Sequence, residues 1–191
     1  MRILYFIVVF FTITCVQAQD QKASFEAFLT QFHPATLPFS CCEATGKPVQ
    51  PAHQAAFLSQ IQSNEEFYDF NNPYYGHLLL KKEQYIVFTV FNATLLDKEQ
   101  GYDETVYLCT FTPQGQFIDC VVVYTHNLRK AFDETTKRFE DTTSQITANG
   151  VIQLRTIHAQ EYLNPTNEEK VIDSKEQKAT YHISPQGHIV R

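Results

Sequence analysis

The chain carries seven histidines, five cysteines and 21 acidic side chains among 191 residues. The residue types that perform acid–base, nucleophilic and metal chemistry are therefore all present, and their spacing decides whether they can act together. His33, His53, His77, His126, His158, His182 and His188 are scattered. None stands three or four residues from another, and the zinc-protease pattern of two histidines and a glutamate on one helical face is absent. His182 and His188 flank Pro185 symmetrically; if Ser184 faces His188 across a hairpin, His182 pairs with Val190 and the two imidazoles share a face. Exposed histidines on a hairpin tip explain that spacing better than a metal pair does. Nucleophilic catalysis needs an activated serine or cysteine beside a base and an oxyanion site. The chain has no Gly-x-Ser-x-Gly elbow and no glycine loop that would cradle phosphate, and Glu65-Glu66 and Glu168-Glu169 stand in polar surroundings. These patterns imply no enzyme, no metal and no cofactor. The alternative they leave is a small cell-envelope hydrolase using Cys42 or a histidine site.

The most distinctive polar-aromatic stretch runs from Glu65 to His77. Aromatic faces there interleave with Asp, Asn and Glu, a mixture that supplies contact area and directed hydrogen bonds to a ligand. Tyr68, Asp69, Asn71, Tyr74 and Tyr75 are the candidate binding residues. A purely architectural reading competes, in which Phe67, Phe70 and Tyr75 anchor a helix-to-sheet crossover.

The N-terminus reads as an export signal. Arg2 precedes an apolar run from Ile3 to Ile13 broken only by Thr12, and Val16-Gln17-Ala18 places small residues before a cut at Gln19. Residues 1–18 are thus expected to be a signal peptide and 19–191 a single domain. Acylation of Cys15 is a secondary option, disfavoured because Thr12-Ile13-Thr14 lacks the leucine and small residue of a lipoprotein site. No second apolar stretch approaches the ~20 residues of a membrane span, so no transmembrane helix is expected after cleavage. Cys41, Cys42, Cys109 and Cys120 follow the cut, and four cysteines in an exported chain allow three disulfide pairings. A three-residue loop at Pro113-Gln114-Gly115 would set Thr112 against Gln116, Cys109 against Asp119 and Cys120 against Leu108. The two sulfurs would then point to opposite faces, whereas a tighter two-residue loop at Gln114-Gly115 would put Cys109 directly across from Cys120; proline fits the first turn, so no Cys109 to Cys120 bridge is expected.

These side chains need a scaffold, and the composition fits a globular one. Apolar residues make up 43% and aromatics 14%, which is enough for a core, and the net charge of -6 argues against nucleic acid. Phe25, Phe28, Leu29 and Phe32 follow helical spacing, as do Phe57, Leu58 and Ile61 after Pro51. Leu37 to Cys42 between them reads as an extended linker. From Tyr75 onward the pattern becomes strand-like: His77 to Lys81, Tyr85 to Asn92, Thr105 to Thr112, Gln116 to Tyr124, Arg138 to Thr147, Val151 to His158, Lys178 to Ser184 and Ile189 to Arg191. The expected fold is α+β: two N-terminal helices followed by a mainly antiparallel β-meander of about eight strands. Leu128 to Asp141 and Tyr162 to Lys178, charged and weakly apolar, read as long loops or exposed edges between hairpins. Three segments repeat one turn signature: Thr112-Pro113-Gln114-Gly115-Gln116, Thr147-Ala148-Asn149-Gly150-Val151 and Ser184-Pro185-Gln186-Gly187-His188. Shared hairpin chemistry, rather than a repeated unit, explains the recurrence. Asn92-Ala93-Thr94 would accept an N-glycan in a eukaryotic source.

The signal ending Val16-Gln17-Ala18, the Phe25-x-x-Phe28-Leu29-x-x-Phe32 helix before Leu37-Pro38-Phe39, and the Tyr107-Leu108-Cys109-Thr110-Phe111 strand leading to Phe117-Ile118-Asp119 resemble uncharacterised exported proteins of Bacteroidota-type bacteria. That resemblance carries no activity. The expectation is a bacterial secreted or periplasmic binding or interaction protein, whose partner is an unknown protein or small molecule at the cell envelope. A second alternative is a structural subunit that pairs through exposed strand edges.

Overall fold

The structure, a computed structural model, describes residues 19–41, 47–62, 73–95, 101–130, 136–163 and 170–191. The first helix, α1 (residues 19–29), buries Phe25, Phe28 and Leu29 on one face, and Phe32 is buried just past its end. Its last turn tightens as Gln31 and Phe32 N–H donate to the carbonyls of Phe28 and Leu29, three residues back, before Pro34. The second helical segment, α2 (residues 51–62), opens with Pro51 in its first turn and contains a π turn over Gln54–Leu58. It buries Phe57, Leu58 and Ile61.

Ten strands form one sheet: β1 His33–Pro34, β2 Phe39–Cys41, β3 Tyr74–Lys81, β4 Ile86–Leu95, β5 Gly101–Phe111, β6 Phe117–Lys130, β7 Thr136–Ile146, β8 Val151–Leu163, β9 Lys170–Ile183 and β10 Ile189–Val190. From β3 to β10 they follow one another as an antiparallel meander, while β1 lies parallel to β3. An antiparallel, sheet-dominated fold with short helices is therefore present, but the helices are not a pair that precedes the sheet. Strands β1 and β2 stand between them, and Phe39 to Cys41, expected as linker, pairs with Ile146 to Ser144 of β7. The stretches expected as loops also carry strand: β6 and β7 extend through most of 128–141, and β9 begins at Lys170. Charge hid these strands because their side chains are solvated and meet across the ladder, as Arg155 does with Glu176 at 3.1 Å.

Strand β4 from Ile86 to Asn92 and strand β5 from Val106 to Phe111 are buried on both faces, which is why these stretches read as nearly continuous apolar runs. Ile86, Phe88, Val90, Tyr107, Cys109 and Phe111 join the helices in one cluster. Phe28 sits at its centre, with ring centroids of Phe25, Phe32, Phe57, Tyr75 and Phe88 within 5.9 Å. The intervening Val87, Phe91, Val106 and Leu108 belong to a second cluster with Val123, Ile146, Ile152 and Ile183. That second cluster exists because the sheet divides. Among the described residues strand β6 pairs with β7 over Thr125–Lys130, and beyond Thr142 the edge of β7 is taken by β2. The two halves then fold toward each other over Val123, which occupies a register shift in β6.

The three glycine turns share one geometry. In each, the hydroxyl residue and the residue four positions on exchange hydrogen bonds: Thr112 with Gln116, Thr147 with Val151, Ser184 with His188. Gly115, Gly150 and Gly187 hold φ at 84°, 75° and 91°, the left-handed region that a side chain disfavours. Beyond the first turn, however, the expected register fails. Phe111 faces Phe117, but an extra residue at Ile118 then brings Thr110 against Asp119 and Cys109 against Cys120. Asp119 stabilises this bulge: its Oδ1 accepts the Cys120 N–H at 2.8 Å and its Oδ2 the Ile189 N–H at 2.9 Å. The sulfurs consequently share a face instead of opposing ones. Asn92, the proposed glycan acceptor, is buried in β4 and is closed to modification in the folded chain.

Candidate functional site

Among the predicted binding residues, Tyr68, Asp69 and Asn71 lie outside the described residues, as do Cys15, Cys42 and residues 1–18. Tyr75 is fully buried; its hydroxyl accepts the Gln50 N–H at 3.3 Å and lies 3.2 Å from His53 Nδ1, tying α2 to β3. Tyr74 is half-buried and packs on Phe91 in the other cluster. Neighbours on a strand point to opposite sides, so these two tyrosines do not share a surface. His182 and Val190 are paired as expected, and His182 and His188 are exposed. Among the described residues no group of three or more His, Cys, Asp or Glu side chains is arranged to hold a metal, and no helix is long and apolar enough to cross a membrane.

The structure instead assembles a trough of about 1130 Å³ over strands β5 to β9, its surface part polar and part apolar. Its floor is built from transverse rows, each residue directly opposite the next. One row runs Thr105, Thr125, Thr142, Thr156, Gln177. The next runs Asn127, Glu140, His158, Lys175. A third includes Arg138, Gln160 and Asp173. Threonine suits a strand and offers both a donor and an acceptor, so the first row lays hydroxyls side by side. Thr142 Oγ1 and Thr156 Oγ1 are 2.9 Å apart, and Thr125 Oγ1 donates to the Glu140 carbonyl at 3.5 Å. His158 Nδ1 lies 3.4 Å from Glu140 Oε2. Arg138 and Lys175 are balanced by Glu140 and Asp173 along the lining, so the trough has no dominant charge. Tyr107 and Leu154 contribute its apolar wall, and burial pushes the Tyr107 phenol well above its ordinary value, which keeps it a neutral donor. These residues are scattered through five strands, and no local spacing in the sequence marks them as a group.

The opposite side of β5 to β7 holds a second arrangement. Tyr102 Oη lies 2.6 Å from His126 Nε2, and His126 Nδ1 lies 2.6 Å from Asp141 Oδ1. Asp141 would fix the imidazole tautomer so that Nε2 accepts a hydrogen bond from the phenol O–H. Burial, then the charges of Glu104 and Asp141, push the Tyr102 phenol upward. It is therefore held as a phenol rather than activated as a nucleophile. Comparison of the chain with protein-family models, curated proteins and solved structures finds no match.

Proposed function

We propose that the protein is a non-catalytic binding protein, exported by a bacterium to the periplasm or outside and related to the Bacteroidota-type proteins it resembles, whose trough receives an extended polar ligand. The row of threonine hydroxyls flanked by amides and balanced charges carries this reading. A lining with donors and acceptors but no net sign selects a ligand of low net charge that exchanges many hydrogen bonds. The volume, at or above the roughly 300–1,000 Å³ of common small-molecule pockets, favours an elongated one. Export rests on the residue pattern of 1–18. Thermal-shift screening against neutral oligosaccharides and polar peptides tests the idea, followed by Thr156→Val, Asn127→Ala and Gln160→Ala in the presence of any stabilising ligand. Each substitution is expected to weaken binding about tenfold, the effect of about 1.4 kcal/mol. Arg155→Ala, exposed on the other face, should change nothing. Binding that is indifferent to all three trough substitutions would refute the proposal.

The Tyr102, His126, Asp141 chain favours a second reading, a hydrolase with a histidine site. A His126→Ala variant that abolishes turnover of a model ester would support it, although the raised phenol pKa weighs against it.

A further inference from the structure

Cys109 and Cys120 stand directly opposite each other on β5 and β6. Opposed residues of an antiparallel pair have Cα atoms about 4.5 or 5.5 Å apart, according to which of two alternating sites they occupy. Both separations fall within the roughly 4.4–6.8 Å that a disulfide spans. Both side chains also leave the sheet on the helix-covered side, where Cys120 packs against the cluster that contains Cys109. Cys41 belongs to the other cluster, across the sheet, so it competes for neither sulfur. We propose that Cys109 and Cys120 are the cysteines that form a disulfide, one that staples β5 to β6 next to the Ile118 bulge and fixes the register there.

The bond forms by exchange with a donor disulfide such as oxidised glutathione or an oxidised thiol-disulfide oxidoreductase. Cys120 is half-buried and Cys109 fully buried, so Cys120 reacts first. It loses its proton and its sulfur attacks one donor sulfur, releasing one donor thiolate. Cys109 then loses its proton, attacks the Cys120 sulfur of the mixed disulfide and expels the second donor thiolate. Two cysteine thiols are oxidised by two electrons, the donor is reduced to two thiols, and two protons pass from the protein to the donor. Burial pushes the Cys109 thiol well above its ordinary value, so the second step is the slow one and quickens with pH.

The folded full chain is incubated with oxidised glutathione, denatured, alkylated and digested with trypsin. Lys98 and Arg129 bound a tryptic peptide that contains both cysteines and no other. That peptide is expected without alkyl groups and two hydrogens lighter than its reduced form. Cleavage after Phe111 or Phe117 should then give two chains joined by a bond that reductant breaks. Cys41→Ser should leave the bridge in place, and Cys109→Ser should accumulate glutathione on Cys120. A wild-type peptide that retains two alkylated or glutathione-bearing sulfurs, or that is linked to the peptide of Cys41 and Cys42, would overturn the assignment.

Discussion

Removing the Asp119 carboxylate tests the bond that joins the β5–β6 hairpin to the end of the chain. Its two oxygens accept the Cys120 N–H at 2.8 Å and the Ile189 N–H at 2.9 Å. A hydrogen bond to a charged group contributes about 1.5–3 kcal/mol, and because Asp119 is only half-buried the lower figure applies to each. Asp119→Ala loses both, so the expected cost is about 3 kcal/mol. Asp119→Asn keeps one oxygen acceptor and should cost about half of that. For a domain of this length these correspond to Tm decreases of about 6–12 °C and about 3–6 °C. Urea titration measures the free energies, while hydrogen exchange at the Ile189 amide reports the distant bond by itself. A loss below about 1 kcal/mol in Asp119→Ala, with the Ile189 amide as protected as before, would mean that this carboxylate holds neither the bulge nor β10.

Further substitutions probe other parts of the fold. Phe28→Ala, which empties the centre of the aromatic cluster, should cost about 3–5 kcal/mol by denaturant titration. Gly115→Ala should destabilise more than Gly150→Ala: both turns need positive φ, but the added carbon would come within 2.8 Å of Phe25 at Gly115 and only 3.3 Å of Ile183 at Gly150. Equal melting temperatures for the two variants would contradict this. Burial, then the nearby charge of His33, lowers the His77 pKa. The unfolded chain therefore binds a proton that the folded chain resists, and the stability due to His77 is complete above about pH 6.5 and declines as pH falls below it. Melting at about pH 7.5 and about pH 5.5 should show a larger loss for the wild type than for His77→Gln, and identical losses would reject the cause assigned.

Local chemistry was the legible part of the sequence. The spacing of Phe25, Phe28 and Leu29 defines the buried face of α1, and a hydroxyl, two turn residues and a glycine define three hairpins, because helices and tight turns are settled by residues a few positions apart. Contacts between distant residues were not legible. The bulge at Ile118 depends on what Asp119 reaches across the fold, so turn chemistry alone put Cys109 opposite the wrong residue. Strand β2 looked like a linker because its partner lies far along the chain. Lys170 to Lys178 looked like a loop because β9 carries alternating charge without an apolar face. The trough was hidden for a related reason: its threonines become neighbours only after four strands align. The aromatic segment stood out by composition, yet Tyr75 belongs to the core.

The shared edge of β7 also fixes an order of events. Its lower half is held by β6, its neighbour in sequence, and its upper half by β2, which precedes it by most of the chain. A distant contact incurs loop-closure entropy before it returns any favourable energy, whereas the β7–β8 hairpin can zip from its turn. Strand β2 should therefore dock late, into a slot that the hairpin has already made. Weakening Phe39 against Ile146 should then speed unfolding while leaving the folding rate nearly unchanged. The kinetic persistence of the folded state would thus depend on three residues, Phe39 to Cys41, that lie outside the meander.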